Sequence, residues 1–222
     1  VMAGALALRE SWRYFPKRTI FLAVVDPGVG TARLPIAIET RAGARFIGPD
    51  NGLLWQAATQ AGVVRAVELR SSRYRMKTVS ATFHGRDIFA PAAAHMWRGV
   101  RLDALGPRLA VIEALEFDPA YASGRELRGS VVYVDGFGNL VTNINRAAVE
   151  RFARHFRGRR LSVRIGRGAA IEIRKAYGDA PEGAPLATFG SFDMLEVAVR
   201  GSSAALRFGA GVGVRVTLRP SK

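Results

Sequence analysis

Apolar residues recur at helical spacing over residues 3–14 (Ala5, Leu6, Leu8, Trp12), and Phe15-Pro16 closes that run. A continuous apolar stretch follows, Thr19-Ile20-Phe21-Leu22-Ala23-Val24-Val25. Its β-branched content, with no alternation, predicts a buried parallel strand over 19–25. Two shorter strands are expected at 35–39 and 44–48. The dense turn Gly48-Pro49-Asp50-Asn51-Gly52 then feeds a helix over Leu53 to Ala61 and a strand at 63–68. Thr82-Phe83-His84-Gly85-Arg86-Asp87 precedes a helix through Ala92 to Trp97, with Asp87 placed to cap it.

The pattern changes after residue 100. Residues 102–127 are punctuated by Pro and Gly. Short strands then dominate, at 130–134, 161–165, 170–174, 194–199 and 213–218, with one helix near 146–156. The expected architecture is an α/β N-terminal domain over 1–120, with a mostly parallel sheet and helices, followed by a smaller C-terminal β-barrel domain over 128–222.

Composition narrows the function. Cysteine is absent from the 222 residues, which excludes disulfides, thiol catalysis and cysteine metal sites and fits a cytoplasmic protein. No apolar run approaches the roughly 20 residues of a membrane span. The net charge of +15 invites a nucleic-acid reading, but lysine stands only at 17, 77, 175 and 222, and the arginines are scattered. Short clusters, Arg70 to Arg75 and Arg151 to Arg167, lack interleaved aromatics for base stacking, which argues against nucleic acid as the main partner.

Candidate chemistry begins at Asp26-Pro27-Gly28-Val29-Gly30-Thr31-Ala32-Arg33. The strand delivers a carboxylate at its C-terminal end, where open α/β sheets bind ligands, and the glycine turn returns Arg33 to Asp26. The loop superficially matches the cofactor loop of methyltransferase folds. Here it runs into the strand-like Ile36-Ala37-Ile38 rather than a helix, so the helix N-terminus that would face a cofactor is missing. A plain turn with an exposed ion pair is the competing structural reading.

Of three histidines, His84 sits in a loop able to face a cleft. His95 falls in an Ala-rich helix, and His155 lies beside Arg154 and Arg157 on a solvated face. No metal-ligand spacing occurs, so no metal is expected. Asp135-Gly136-Phe137-Gly138-Asn139 reads equally as a hairpin turn or a site. Tyr177-Gly178-Asp179 is turn chemistry with an aromatic, and Gly209 to Gly213 reads as structural.

In order, Tyr14-Phe15-Pro16, Val24 to Thr31, Gly48 to Leu53, Thr82 to Asp87, Asp135 to Ile144 and Leu195 to Val199 resemble a known family. It is that of the S-adenosyl-L-methionine (SAM) hydroxide adenosyltransferases, the adenosine-forming SAM hydrolases, which are sisters of the SAM-dependent fluorinase and chlorinase. The resemblance implies hydrolysis of SAM to adenosine and L-methionine, with no cofactor. It implies a homotrimer whose sites join the N-domain of one subunit to the C-domain of the next. Asp26, Arg33 and His84 fall on the set that handles the attacking water, and His84 stands where the halogenating branch has Tyr. By the same resemblance Asp135 and Asn139 contact the nucleoside, Tyr177 stacks on adenine, and Ser191 with Glu196 lies near the methionine end. It also implies a preceding Thr-Asp-Phe-Gly unit supplying ribose contacts, so the chain as given is expected to bind SAM loosely. A SAM-dependent methyltransferase and a non-catalytic adenosyl- or nucleic-acid-binding protein are the alternatives.

Overall fold

The computed structural model describes residues 1–156 and 158–221, and the chain divides into two compact units, Val1–Glu116 and Phe117–Lys222. In the first, the elements run α1 (Met2–Ser11), β1 (Ile20–Leu22), β2 (Pro35–Thr40), β3 (Arg45–Pro49), α2 (Trp55–Ala61) and β4 (Val63–Glu68). They continue with α3 (Ala90–Trp97), α4 (Leu102–Leu105) and β5 (Arg108–Leu109).

The five strands form one sheet in the order β1-β3-β2-β4-β5. The expected mostly parallel sheet is not found: β1 and β3 are parallel, and the other three ladders are antiparallel. The cause is local. Only residues 41–44 join β2 to β3, and Gly43 takes φ +87° in that turn. So short a connection can only reverse the chain, because a parallel return needs a crossover of about a dozen residues. β3 and β4, linked through α2, do point the same way, but β2 is inserted between them.

Alternating side chains of this sheet enter two different cores. Ile36, Ile38, Phe46 and Ala66 pack with α1 and α2, while Ala37, Ile47 and Val67 pack with Ile88, Phe89, Ala92 and Met96. Burial on both faces removes the polar alternation, which is why the central strands read like parallel ones. Strand β1 departs from expectation in another way. It spans three residues at the sheet edge, and Leu22, Val24 and Val25 are more than two-fifths exposed.

The second unit contains β6 (Tyr121–Ser123), β7 (Glu126–Val134), β8 (Leu140–Asn145), α5 (Arg146–Ala153), β9 (Leu161–Ile165), β10 (Ile171–Glu172), β11 (Pro185–Phe189), β12 (Met194–Val199), α6 (Ala204–Phe208) and β13 (Arg215–Pro220). The strands follow the order β10-β9-β13-β7-β8-β12-β11, with β6 beside β7. A bridge between Ile173 and Ala187 links the two ends of that path, so the sheet nearly closes into a barrel. Val131, Leu140, Val163, Leu195, Val197, Val216 and Leu218 fill its interior, and α5 adds Val149 and Phe152. The side chain of Asn145 caps α5 by accepting from the Ala148 N–H at 2.8 Å.

Candidate active site

In the first unit the loop leaving β1 carries Asp26 and returns to β2 through Arg33. Arg33 grips Asp26 as a fork, Nε to Oδ1 at 3.1 Å and Nη2 to Oδ2 at 2.5 Å. The side chains are each only 6% exposed, so the exposed-pair reading does not hold. Arg33 also lies over the Phe89 ring, 5.3 Å from its centroid.

His84 joins the pair from a segment 51 residues away, its Nδ1 lying 3.0 Å from Arg33 Nη2. Arginine has no acceptor, so the bond uses the Nδ1 lone pair and leaves the ring proton on Nε2. Nη2 thereby spends both hydrogens, one on Asp26 and one on His84. The buried Nη1 has no hydrogen-bond partner among the described residues. Gly30 makes the approach of the two loops possible. It takes φ +78°, and a Cβ there would lie 2.9 Å from the Ala81 carbonyl oxygen.

Two residues that sequence reasoning placed differently, or missed, hold these loops. Asp87 does not cap a helix. It lies within a π-helical turn, Gly85–Phe89, where its buried carboxylate accepts from the Ser80 N–H at 2.8 Å and from Arg86. Those partners, Arg86 first, hold its pKa below the usual value and tie down the segment that presents His84. Asn51 donates from Nδ2 to the Val25 carbonyl at 2.9 Å, bracing the residue before Asp26. Its neighbour Asp50 accepts from the Glu113 N–H, and burial raises its pKa. The turn signal at 48–52 was visible in sequence, but its target was not.

The second unit carries its own polar set. Tyr177 donates its hydroxyl to Glu196 Oε1. Burial raises the Glu196 pKa, and the nearby Asp135 charge adds to that; burial and Glu196 push the Tyr177 hydroxyl well above its usual value. Gly190 lies against this carboxylate, where a side chain would collide with Glu196, and the adjoining Ser191 is exposed. Asp135 and Asn139 form the turn between β7 and β8. Oδ1 accepts from the N–H groups of Phe137 and Asn139, and Oδ2 accepts from Asn139 Nδ2. That geometry satisfies the hairpin reading of these residues.

The remaining histidines stand apart: His95 packs edge-on to Tyr74, and His155 is exposed. Arg157, expected beside it, lies outside the described residues. Among the described residues no group of three or more His, Cys, Asp or Glu could hold a metal, and no helix is long and apolar enough to cross a membrane.

An α/β unit bearing a buried acid–guanidinium–imidazole set, followed by a nearly closed barrel bearing a Tyr–Glu pair, defines a two-unit α/β-plus-barrel class. The chain belongs to the SAM hydroxide adenosyltransferase family: residues 1–106 match the model of its N-terminal domain and residues 129–217 that of its C-terminal domain. It is similar to a protein of Thermus thermophilus named (R)-S-adenosyl-L-methionine hydrolase, with 41% identity over 97% of this chain and 81% of the relative. A Nocardia brasiliensis protein named fluorinase is 28% identical over 99% of this chain and 82% of its own. The solved structure of a Thermotoga maritima protein described as an uncharacterized conserved protein superposes with a TM-score of 0.81 at 34% identity, covering 97% of this chain and 82% of that one.

Proposed function

We propose that the protein hydrolyses SAM to adenosine and L-methionine, with Asp26, Arg33 and His84 handling the attacking water. The observation that carries this reading is the Asp26–Arg33–His84 set itself, buried, mutually hydrogen-bonded and still holding an unspent donor at Arg33 Nη1. A water in this set can donate to Asp26 while its oxygen receives from Arg33 Nη1 or His84 Nε2.

The sulfonium of SAM is already a good leaving group and needs no acid. The water oxygen forms a bond to the ribose 5′ carbon as the carbon–sulfur bond breaks, and that electron pair stays on methionine sulfur. The carboxylate of Asp26 is too weak a base to deprotonate bulk water outright. It aims the water and receives its proton as attack proceeds, while Arg33 stabilises the developing hydroxide character. Positioning of this kind is worth up to about 7–11 kcal/mol. SAM is the substrate, and the proposed reaction calls for no cofactor.

In this reading Tyr177 stacks on adenine, Asp135 and Asn139 contact the nucleoside, and Ser191 with Glu196 faces the methionine end. The assembly we propose is a homotrimer that completes each site from two subunits. Co-assembled Asp26→Asn and Tyr177→Ala subunits should then turn over more SAM, at low SAM concentration, than the two variants assayed separately; no such gain on mixing would exclude shared sites. For the reaction itself, incubation in H₂¹⁸O should place the label on the 5′ oxygen of adenosine, with no 5′-halo nucleoside formed in chloride or fluoride. S-adenosylhomocysteine as the product would overturn the proposal.

A further inference from the structure

The outward face of the barrel sheet carries arginines that neither polar set uses. Along β13, Val216 and Leu218 enter the core, so Arg215, Thr217 and Arg219 face outward. Register places Arg128 of β7 on one side of Thr217 and Arg164 of β9 on the other. Directly paired residues share a sheet face with Cβ atoms about 4.5–5.5 Å apart. Four arginines therefore surround one small residue, itself 6% exposed. Arg167, from the turn after β9, joins them around a groove of about 360 Å³.

One carboxylate faces this group: Glu126 pairs with Arg128 at 2.7 Å and with Arg219. Among the described residues Arg164, Arg167 and Arg215 have no ion-pair partner, although all three line the groove. Arg164 is held across its turn by a 2.9 Å bond from Nη1 to the Gly168 carbonyl, and its buried Nε has no acceptor among the described residues. Five guanidiniums and one counter-charge on a concave surface match linked phosphates, since each planar fork can take two phosphate oxygens. The site is compact, and the exposed aromatic Tyr121 stands only at its edge, across the ladder from Arg128. Sites for a nucleic-acid strand instead run as grooves with repeated aromatic platforms.

We propose that this groove binds a small anion of two or three linked phosphates, either inorganic or the phosphate chain of a nucleotide. The test is titration calorimetry of the full chain with inorganic triphosphate at about 0.15 M ionic strength, where exposed charges are screened beyond about 8 Å. One site per chain is expected. The Arg128→Gln/Arg164→Gln variant should bind about tenfold or more weakly, and Arg164→Lys, which keeps charge but loses the fork, should fall between. SAM hydrolysis and the melting temperature of these variants should not change.

A nucleoside triphosphate binding as tightly as inorganic triphosphate assigns recognition to the phosphates alone, and tighter binding assigns the nucleotide source. Should the double variant fail to fold, Arg167→Gln/Arg215→Gln on exposed positions replaces it. A folded variant that binds triphosphate like wild type overturns the proposal. So does orthophosphate binding as tightly as triphosphate, or an oligonucleotide binding more tightly than either.

Discussion

Replacing Asp26 by Asn keeps the side chain's shape and removes its charge, which separates the structural role of the Asp26–Arg33 pair from its chemical one. Arg33 presents Nε and Nη2 to two carboxylate oxygens at 3.1 and 2.5 Å. An amide offers one oxygen and one NH₂, so one donor of Arg33 then faces another donor. With both side chains only 6% exposed, little water can relieve that conflict. Removing one partner of a buried pair typically costs about 3–5 kcal/mol, and the loop position favours the lower end. At a urea slope of about 2 kcal/mol per molar, the unfolding midpoint should drop by about 1.5–2 M. Turnover, followed as adenosine by chromatography without denaturant, should fall by about 10²–10⁴, the range for a positioned acid–base group. The double variant Asp26→Asn/Arg33→Met removes the stranded charge as well. It should regain much of the lost stability and none of the activity. Wild-type kcat in folded Asp26→Asn would refute the water-handling role, and full activity in the double variant would refute it more strongly.

Two further outcomes follow from the second unit. Tyr177→Ala should weaken adenosine binding by about 1–3 kcal/mol, the range for base–aromatic stacking, whereas Tyr177→Phe should keep it while losing the bond to Glu196. Equal losses in a calorimetric titration of both variants would assign the effect to the hydroxyl and rule out stacking. Glu196 has its pKa raised by burial, so the folded state holds that proton more tightly than the unfolded chain. Its contribution to stability is complete below the ordinary carboxylate value of about 4 and is lost as pH rises through the folded value. Glu196→Gln should flatten that decline in urea midpoints measured across pH, and an unchanged slope would contradict the assignment.

Local order along the chain determined much of this protein. The strands at 35–39, 44–48 and 63–68, the helix after the 48–52 turn and the β-rich second half all follow from periodicity and turn residues. The approach of Arg33 to Asp26 was also legible, since a seven-residue return through two glycines leaves few other arrangements. The six motif blocks carried the family and its activity. Tertiary structure decided what depends on distant partners. The insertion of β2 between β3 and β4 was one such feature, because a strand buried on both faces shows the same apolar run whichever neighbours it has. The strand at Leu140–Asn145 was another, as its buried Thr142 and Asn143 look like loop residues until Leu195, Ser130 and Asp118 supply their hydrogen bonds. Asp87 likewise resembles a cap until Ser80 and Arg86 reach it. His84 meets Arg33 across 51 residues, and the arginines of β7, β9 and β13 meet around Thr217 only through register. Spacing constrains what the chain can close locally; partners chosen by packing and strand pairing exist only once the sheets have formed.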